Sequence, residues 1–188
     1  MIKFCFSYRL LHQAALWDNA DLLEDLLNGE ELGYINSADS WGRTPAHAAA
    51  TTESSQCLRI LVQAGADVNI ACGPRGECRT PLHIAAEHGH VNNLQVLVDA
   101  GADLLAKDAL GLTPLDLADK MEHIGCMEVL REAVDKKEQV ILKMMLPFSY
   151  YIRYMRIIYS EVEVFRILVF EKNVFASPYA RYNFLKYL

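Results

Sequence analysis

The stretch CGPRGECRTPLH, Cys72 to His83, brings two thiols, a glycine-bracketed guanidinium and an imidazole into twelve residues. Three kinds of chemistry could use such a set. Thiolates and imidazoles hold Zn2+, but a closed site needs four donors in pairs, usually two to four residues apart. Five residues separate Cys72 from Cys78, and no second Cys or His pair follows at a finger-like interval. A phosphate cradle needs a glycine-rich run ending in a Lys that opens a helix, and GPRGE offers no such Lys. Nucleophilic catalysis needs a Cys or Ser beside a base and an oxyanion stabiliser. The candidate bases are His12, His47, His83, His88, His90 and His123, and the resemblance set out below implies a structural duty for all six, as framework. The residues therefore predict no metal ligand, no cofactor site and no catalytic group.

That framework repeats. TPAH at Thr44–His47, TPLH at Thr80–His83 and TPLD at Thr113–Asp116 recur 36 and 33 residues apart, and LHQAA at Leu11–Ala15 precedes its counterpart by 35. Two second segments close on the same turn, LVQAGADVN (Leu61–Asn69) and LVDAGADLL (Leu97–Leu105), with a degenerate LLNGEELGYIN (Leu26–Asn36) before them. Thr-Pro opens a helix, because the hydroxyl can cap exposed N–H groups and proline is pre-set for the first turn. The small pairs Ala48–Ala49 and Ala85–Ala86 let a second helix come close, and Gly65 and Gly101 stand where a helix ends in the left-handed conformation. Leu58, Leu61, Val62 and Leu94, Leu97, Val98 fall at helical spacing. No unit can bury that face alone, so the stack is the stable object.

This pattern resembles the ankyrin repeat over roughly residues 9–135. The resemblance implies an all-α solenoid of about four helix-turn-helix units with hairpin fingers. The expected division is an N-terminal extension at 1–8, a repeat domain at 9–138 with units near 9–41, 42–77, 78–110 and 111–138, and a non-repeat tail at 139–188. The finger between Asp67 and Thr80 is three residues longer than the one between Asp103 and Thr113, so CGPRGE reads as an insertion at one tip. Cys78 stands where a finger normally has Gly, so the longer loop is expected to close by a different turn. TTESS (Thr51–Ser55) replaces the Gly-His of the next unit's turn, and Asp116 replaces the TPLH histidine. REAVDKKE, Arg131–Glu138, supplies a polar outer surface for a capping unit.

Ankyrin repeats recognise proteins through finger tips and the exposed, concave face of the first helices, so the resemblance implies a protein partner of unspecified identity, in a scaffold or regulatory role. The positions that carry over are Ser40, Trp41, Arg43, Thr51 and Thr52, then Arg75, Glu77, Arg79, Glu87 and His88, then Ala109, Leu110, Leu112, Lys120 and Met121. Trp41 and Arg75 lead, since Trp and Arg dominate interface energetics. The run ending in DVN is also similar to sites that an iron- and 2-oxoglutarate-dependent asparaginyl hydroxylase modifies in such repeats, which would make Asn69 a substrate position.

Composition bounds the rest. Residues 1–138 carry 11 basic and 21 acidic side chains, net −10, and residues 139–188 carry 7 and 3, net +4. An acidic repeat domain argues against nucleic acid as partner. Five scattered cysteines and a start without a signal-like apolar run lead to an expectation of reduced thiols in cytoplasm or nucleus. From Gln139 onward there is no glycine or aspartate, yet 12 of the 18 aromatic residues lie there. Residue types with AT-rich codons fill half of this tail, which suggests an alternative C-terminus. The competing reading is a segment that lies on a membrane surface with Arg153, Arg156 and Arg166 toward headgroups. Its longest uncharged stretch, Met144–Ile152, is far below the roughly 18 residues that span a bilayer.

Overall fold

Thr44, Thr80 and Thr113 each sit in extended backbone immediately before a helix whose first residue is proline. Those helices are α3 (Pro45–Ala50), α5 (Pro81–His88) and α7 (Pro114–Lys120). A computed structural model describes residues 2–137 and 139 of the chain. The remaining elements are α1 (Ile2–Leu16), α2 (Ala20–Leu27), α4 (Gln56–Gln63), α6 (Val91–Asp99) and α8 (residues 124–137), with 3-10 turns at Glu30–Tyr34 and Pro74–Gly76. Among the described residues there is no strand, in keeping with the all-α solenoid expected.

Two layers result. The first helices pack in series, α1 on α3, α3 on α5 and α5 on α7, while α2 packs on α4 and α4 on α6 behind them. Alanine sets the spacing of the front row: Ala14, Ala15, Ala49, Ala50, Ala85, Ala86 and Ala118 are buried. The buried pair of the second unit is therefore Ala49–Ala50, one residue later than the alanine count alone suggests, because register runs from His47 and not from the first alanine. Behind them Leu58, Leu61, Leu94 and Leu97 are fully buried, each worth roughly 2 kcal/mol of transfer from water. Val62 and Val98 are partly buried against the same core.

Gly65 (φ +89°) and Gly101 (φ +84°) end α4 and α6 as expected, and the following N–H of Ala66 or Ala102 reaches back to Leu61 or Leu97. The turn at TTESS, between α3 and α4, has no glycine where the next unit has Gly89. It is held instead from the neighbouring unit: buried Asn93 donates to the Thr52 and Ala49 carbonyls, and His90 Nε2 donates to the Thr51 carbonyl at 3.1 Å.

α1 runs from Ile2 to Leu16 without a break at residue 8, so the expected extension continues the first helix. One unit covers Met1–Lys136 and a second Lys137–Leu188. Of the second, only residues 137 and 139 are described, and the expectations for the tail lie outside the described residues. No helix among the described residues is long and apolar enough to cross a membrane.

Candidate functional site

Histidine builds the frame on which the finger tips stand. The Thr44 backbone N–H donates to His47 Nδ1 at 3.0 Å, and Thr80 N–H donates to His83 Nδ1 at 3.2 Å. An N–H can only donate, so Nδ1 is the acceptor and the ring hydrogen resides on Nε2. Nε2 then donates forward across the unit boundary: His12 to the Arg43 carbonyl (2.7 Å), His47 to Arg79 (3.0 Å) and His83 to Leu112 (3.2 Å). Each accepting carbonyl belongs to the residue before the next Thr-Pro. Both buried rings must stay neutral to do this. Burial drives the His47 imidazole down to about 4, and lowers that of His83 as well. Asp116 keeps the cap alone, accepting the Thr113 N–H at 2.8 Å, and has no second nitrogen to donate onward. His123 works in reverse, donating to the Glu87 carbonyl of the preceding unit at 3.0 Å. His88 is exposed and stacks on His90 at 5.7 Å between ring centroids.

The fingers hang from this frame. Asp39 Oδ1 accepts the N–H groups of Trp41 and Arg43 at 2.8 and 2.9 Å; Asp108 Oδ1 accepts those of Leu110 and Leu112 at the same distances. Burial alone would raise the Asp39 carboxyl, but these N–H groups and the Arg43 guanidinium hold it below the usual carboxylate value. Cys72 occupies the corresponding place in the long finger. Its N–H bonds the Arg79 carbonyl, as Asp39 bonds Arg43, and its Sγ accepts the Arg79 N–H at 3.2 Å. The thiol stands in for the carboxylate. Counting from both ends, the inserted residues are Pro74, Arg75 and Gly76, which form a 3-10 turn.

Cys78 thus falls on the position of Gly42 (φ +78°) and Gly111 (φ +80°) and keeps their left-handed backbone, with φ +53°. The residue before it differs: Glu77 (φ +63°) is left-handed as well, whereas Trp41 and Leu110 at the same finger position are not, so the longer loop closes by a different turn, as expected. Non-glycine residues cost about 1–2 kcal/mol each there. Backbone bonds tie neighbouring fingers together: Gly73 N–H donates to the Trp41 carbonyl at 2.9 Å, and Ala109 N–H to the Glu77 carbonyl at 2.8 Å.

The structure divides the sequence-derived contact positions. Ser40, Trp41, Arg75, Ala109 and Leu110 stand exposed on the tips, and His88, Lys120 and Met121 stand exposed at first-helix ends. Arg43 is exposed but committed, ion-paired to Asp39 at 2.9 Å with its guanidinium 5.7 Å from the Trp41 ring centroid. Thr51 and Thr52 are half-buried, with hydroxyls donating to the Ala48 and Ala49 carbonyls. Arg79 is drawn into the finger base, unlike the exposed tip residues. Its side chain is largely covered and lies against Glu77 (2.7 Å), Glu87 (2.8 Å) and Asp108 (3.7 Å). Leu112 is likewise a finger-base residue, half-buried, its N–H spent on Asp108 and its carbonyl on His83. Glu77 and Glu87 stay on the surface as partners of Arg79.

Sequence reasoning passed over Leu16 and Trp17, which are exposed at the end of the first unit's front helix. Their signal was available: they lie four and five residues after His12, as Glu87 and His88 follow His83. Asn69 is exposed and its Oδ1 accepts the Asp103 N–H at 2.8 Å, just as Asn36 accepts that of Asp67 at 2.9 Å. Its place in the fold is to hold the next unit's turn. Burial, then the nearby Asp18 carboxylate, push the Cys57 thiol up to about 12, and burial raises Cys72 and Cys126. Thiols held protonated are poor nucleophiles and poor metal ligands. Among the described residues no three metal-binding side chains converge.

A family model described as ankyrin repeats (3 copies) matches residues 11–108 and 73–140. A 58-residue stretch is 41% identical to part of the tyrosine-protein kinase Shark of Drosophila melanogaster, covering 31% of this chain and 6% of that protein.

Proposed function

The chain belongs to the ankyrin-repeat family, and from that premise we propose that it is a non-catalytic recognition module that holds a protein partner across its finger tips and first-helix ends. Repeats of this family are generally protein–protein interaction modules. One observation carries the reading for this chain: Trp41 and Leu110 are 48% and 67% exposed on tips whose backbone groups are already satisfied internally. A large apolar side chain held outward on such a frame gains nothing from water and offers contact area to a partner. Leu16, Trp17 and Met121 extend the same character to the first-helix ends. Scattered unpaired thiols fit a scaffold or regulator of the cytoplasm or nucleus.

Affinity capture from cell lysate with the full-length chain tests this, comparing wild type with Trp41→Ala combined with Arg75→Ala. Proteins recovered by wild type and lost with the double variant support the tip face. If the same proteins persist while circular dichroism shows the variant folded, the face is assigned wrongly.

A further inference from the structure

The tip row changes character in its middle. Counting back from each Thr-Pro, Trp41, Glu77 and Leu110 hold the same finger position, and backbone bonds tie the fingers in that order: the Trp41 carbonyl to Gly73, and the Glu77 carbonyl to Ala109. The row reads apolar, acidic, apolar. Beside Glu77, one guanidinium serves three carboxylates, with Arg79 at 2.7 Å from Glu77, 2.8 Å from Glu87 and 3.7 Å from Asp108. Two negative charges are left without a counter-charge within the cluster. The innermost carboxylate sharpens this, because the Asp108 side chain is fully buried and its Oδ2 has no hydrogen-bond partner. Arg79 Nε, which faces it, has none either. Arg79 is therefore occupied inward, while Glu77 and Glu87 remain 51% and 30% exposed.

We propose that Glu77 and Glu87 form a seat for a basic side chain of the partner, and that the partner's docking segment carries a Lys or Arg between apolar residues that cover Trp41 and Leu110. This rests on the reading of the finger tips as the docking face. Charge complementarity selects the occupant. Covering two carboxylates with a neutral or acidic segment strips them of water and supplies no compensating charge, whereas one cation brings the cluster to three negatives against two positives. An excess of 21 acidic over 11 basic residues across 1–138 steers a basic segment toward the same face. A polyanion is repelled by it.

The test is selection of random linear peptides on the immobilised full-length chain, followed by affinity measurements with wild type, Trp41→Ala, and Glu77→Gln combined with Glu87→Gln. Expected are Trp41-dependent peptides bearing Lys or Arg beside apolar residues, weakened about tenfold by the double Gln variant and by added salt. Selection on Glu77→Lys, which leaves two negatives against two positives in the cluster, should no longer favour a basic residue. Should the double variant lose its helical signal, Glu77→Lys, altered only on an exposed tip, decides between the same outcomes. Trp41-dependent peptides with no basic residue, or with unchanged affinity for the Gln variant, overturn the seat and leave the docking face standing. Recovery of no Trp41-dependent peptide removes both.

Discussion

Replacing His47 with Gln should flatten the acid limb of the stability profile. His47 is fully buried, accepts the Thr44 N–H at Nδ1 and donates to the Arg79 carbonyl at Nε2, so its ring has a role only when neutral. Burial depresses its pKa from 6.5 to about 4. Between those values the unfolded chain binds a proton that the folded chain refuses. Stability therefore rises with pH across this window: the contribution is full above the unfolded value and is lost as pH falls toward the folded one. Linkage gives a loss of about 2 kcal/mol between pH 7 and pH 5 from this residue alone. His83, lowered for the same reason, adds to it with the same sign. The carboxyls of Asp39 and Asp116, both held below 3.8, withdraw their contributions only at lower pH. The interval from 7 to 5 thus isolates the histidines among the groups with shifted values.

Urea unfolding of the full-length chain, followed by helical circular dichroism at several pH values, measures this directly. His47→Gln retains a side-chain acceptor for the cap, since Gln serves at the same helical position in capping boxes, but it does not titrate. Wild type should lose about 2 kcal/mol more than the variant between pH 7 and 5. Equal slopes would show that His47 is not the linked group and would refute the argument from burial.

Four further substitutions test the frame by the same unfolding assay. Gly42 and Gly111 share a left-handed backbone, but a Cβ at Gly42 would overlap the Gly73 backbone while one at Gly111 meets open space; Gly111→Ala should cost about 1–2 kcal/mol and Gly42→Ala clearly more. Asn93→Ala leaves the Thr52 carbonyl without its Asn93 donor, while the Ala49 carbonyl keeps Thr52, and should cost about 1–3 kcal/mol, with equal stability refuting its part in holding the TTESS turn. Cys78→Gly should stabilise by about 1 kcal/mol by relieving a non-glycine residue at φ +53°; destabilisation would mean that its side chain contributes more than its backbone costs.

The frame was legible in the sequence because it is local. Thr-Pro, the His or Asp three residues after each Thr and the two GAD turns act over a few residues, so spacing alone places them. What spacing could not show was reach. Nothing adjacent to TTESS says that Asn93, some forty residues on, supplies its missing hydrogen bonds. Arg79 looked like an interface arginine because a sequence shows its charge and not the three carboxylates around it, two of which come from other elements. The non-glycine at Cys78 made a different turn legible, but not that Glu77 beside it would also take the left-handed backbone. Leu16 and Trp17 were passed over for a different reason: the first unit lacks the Thr-Pro from which the other contact positions were counted.

The division of labour within a finger says why the tip residues carry more meaning for recognition than their neighbours. Everything that determines the finger's path points inward or uses main chain: the Asp or Cys at its start, the left-handed residue near its end, the carbonyl that takes the histidine N–H, and the bond to the adjacent finger. The residue three before each Thr contributes its backbone to this scheme. Trp41, Glu77 and Leu110 fill that position with an indole, a carboxylate and an isobutyl group, and the finger bonds to its neighbour in the same way through Trp41 and through Glu77. The fold therefore does not dictate which side chain stands there. Under the proposed function, a position whose side chain the fold leaves open, yet which holds large apolar groups in water, is where the choice of partner would be written. The order apolar, acidic, apolar is accordingly read as a property of what docks.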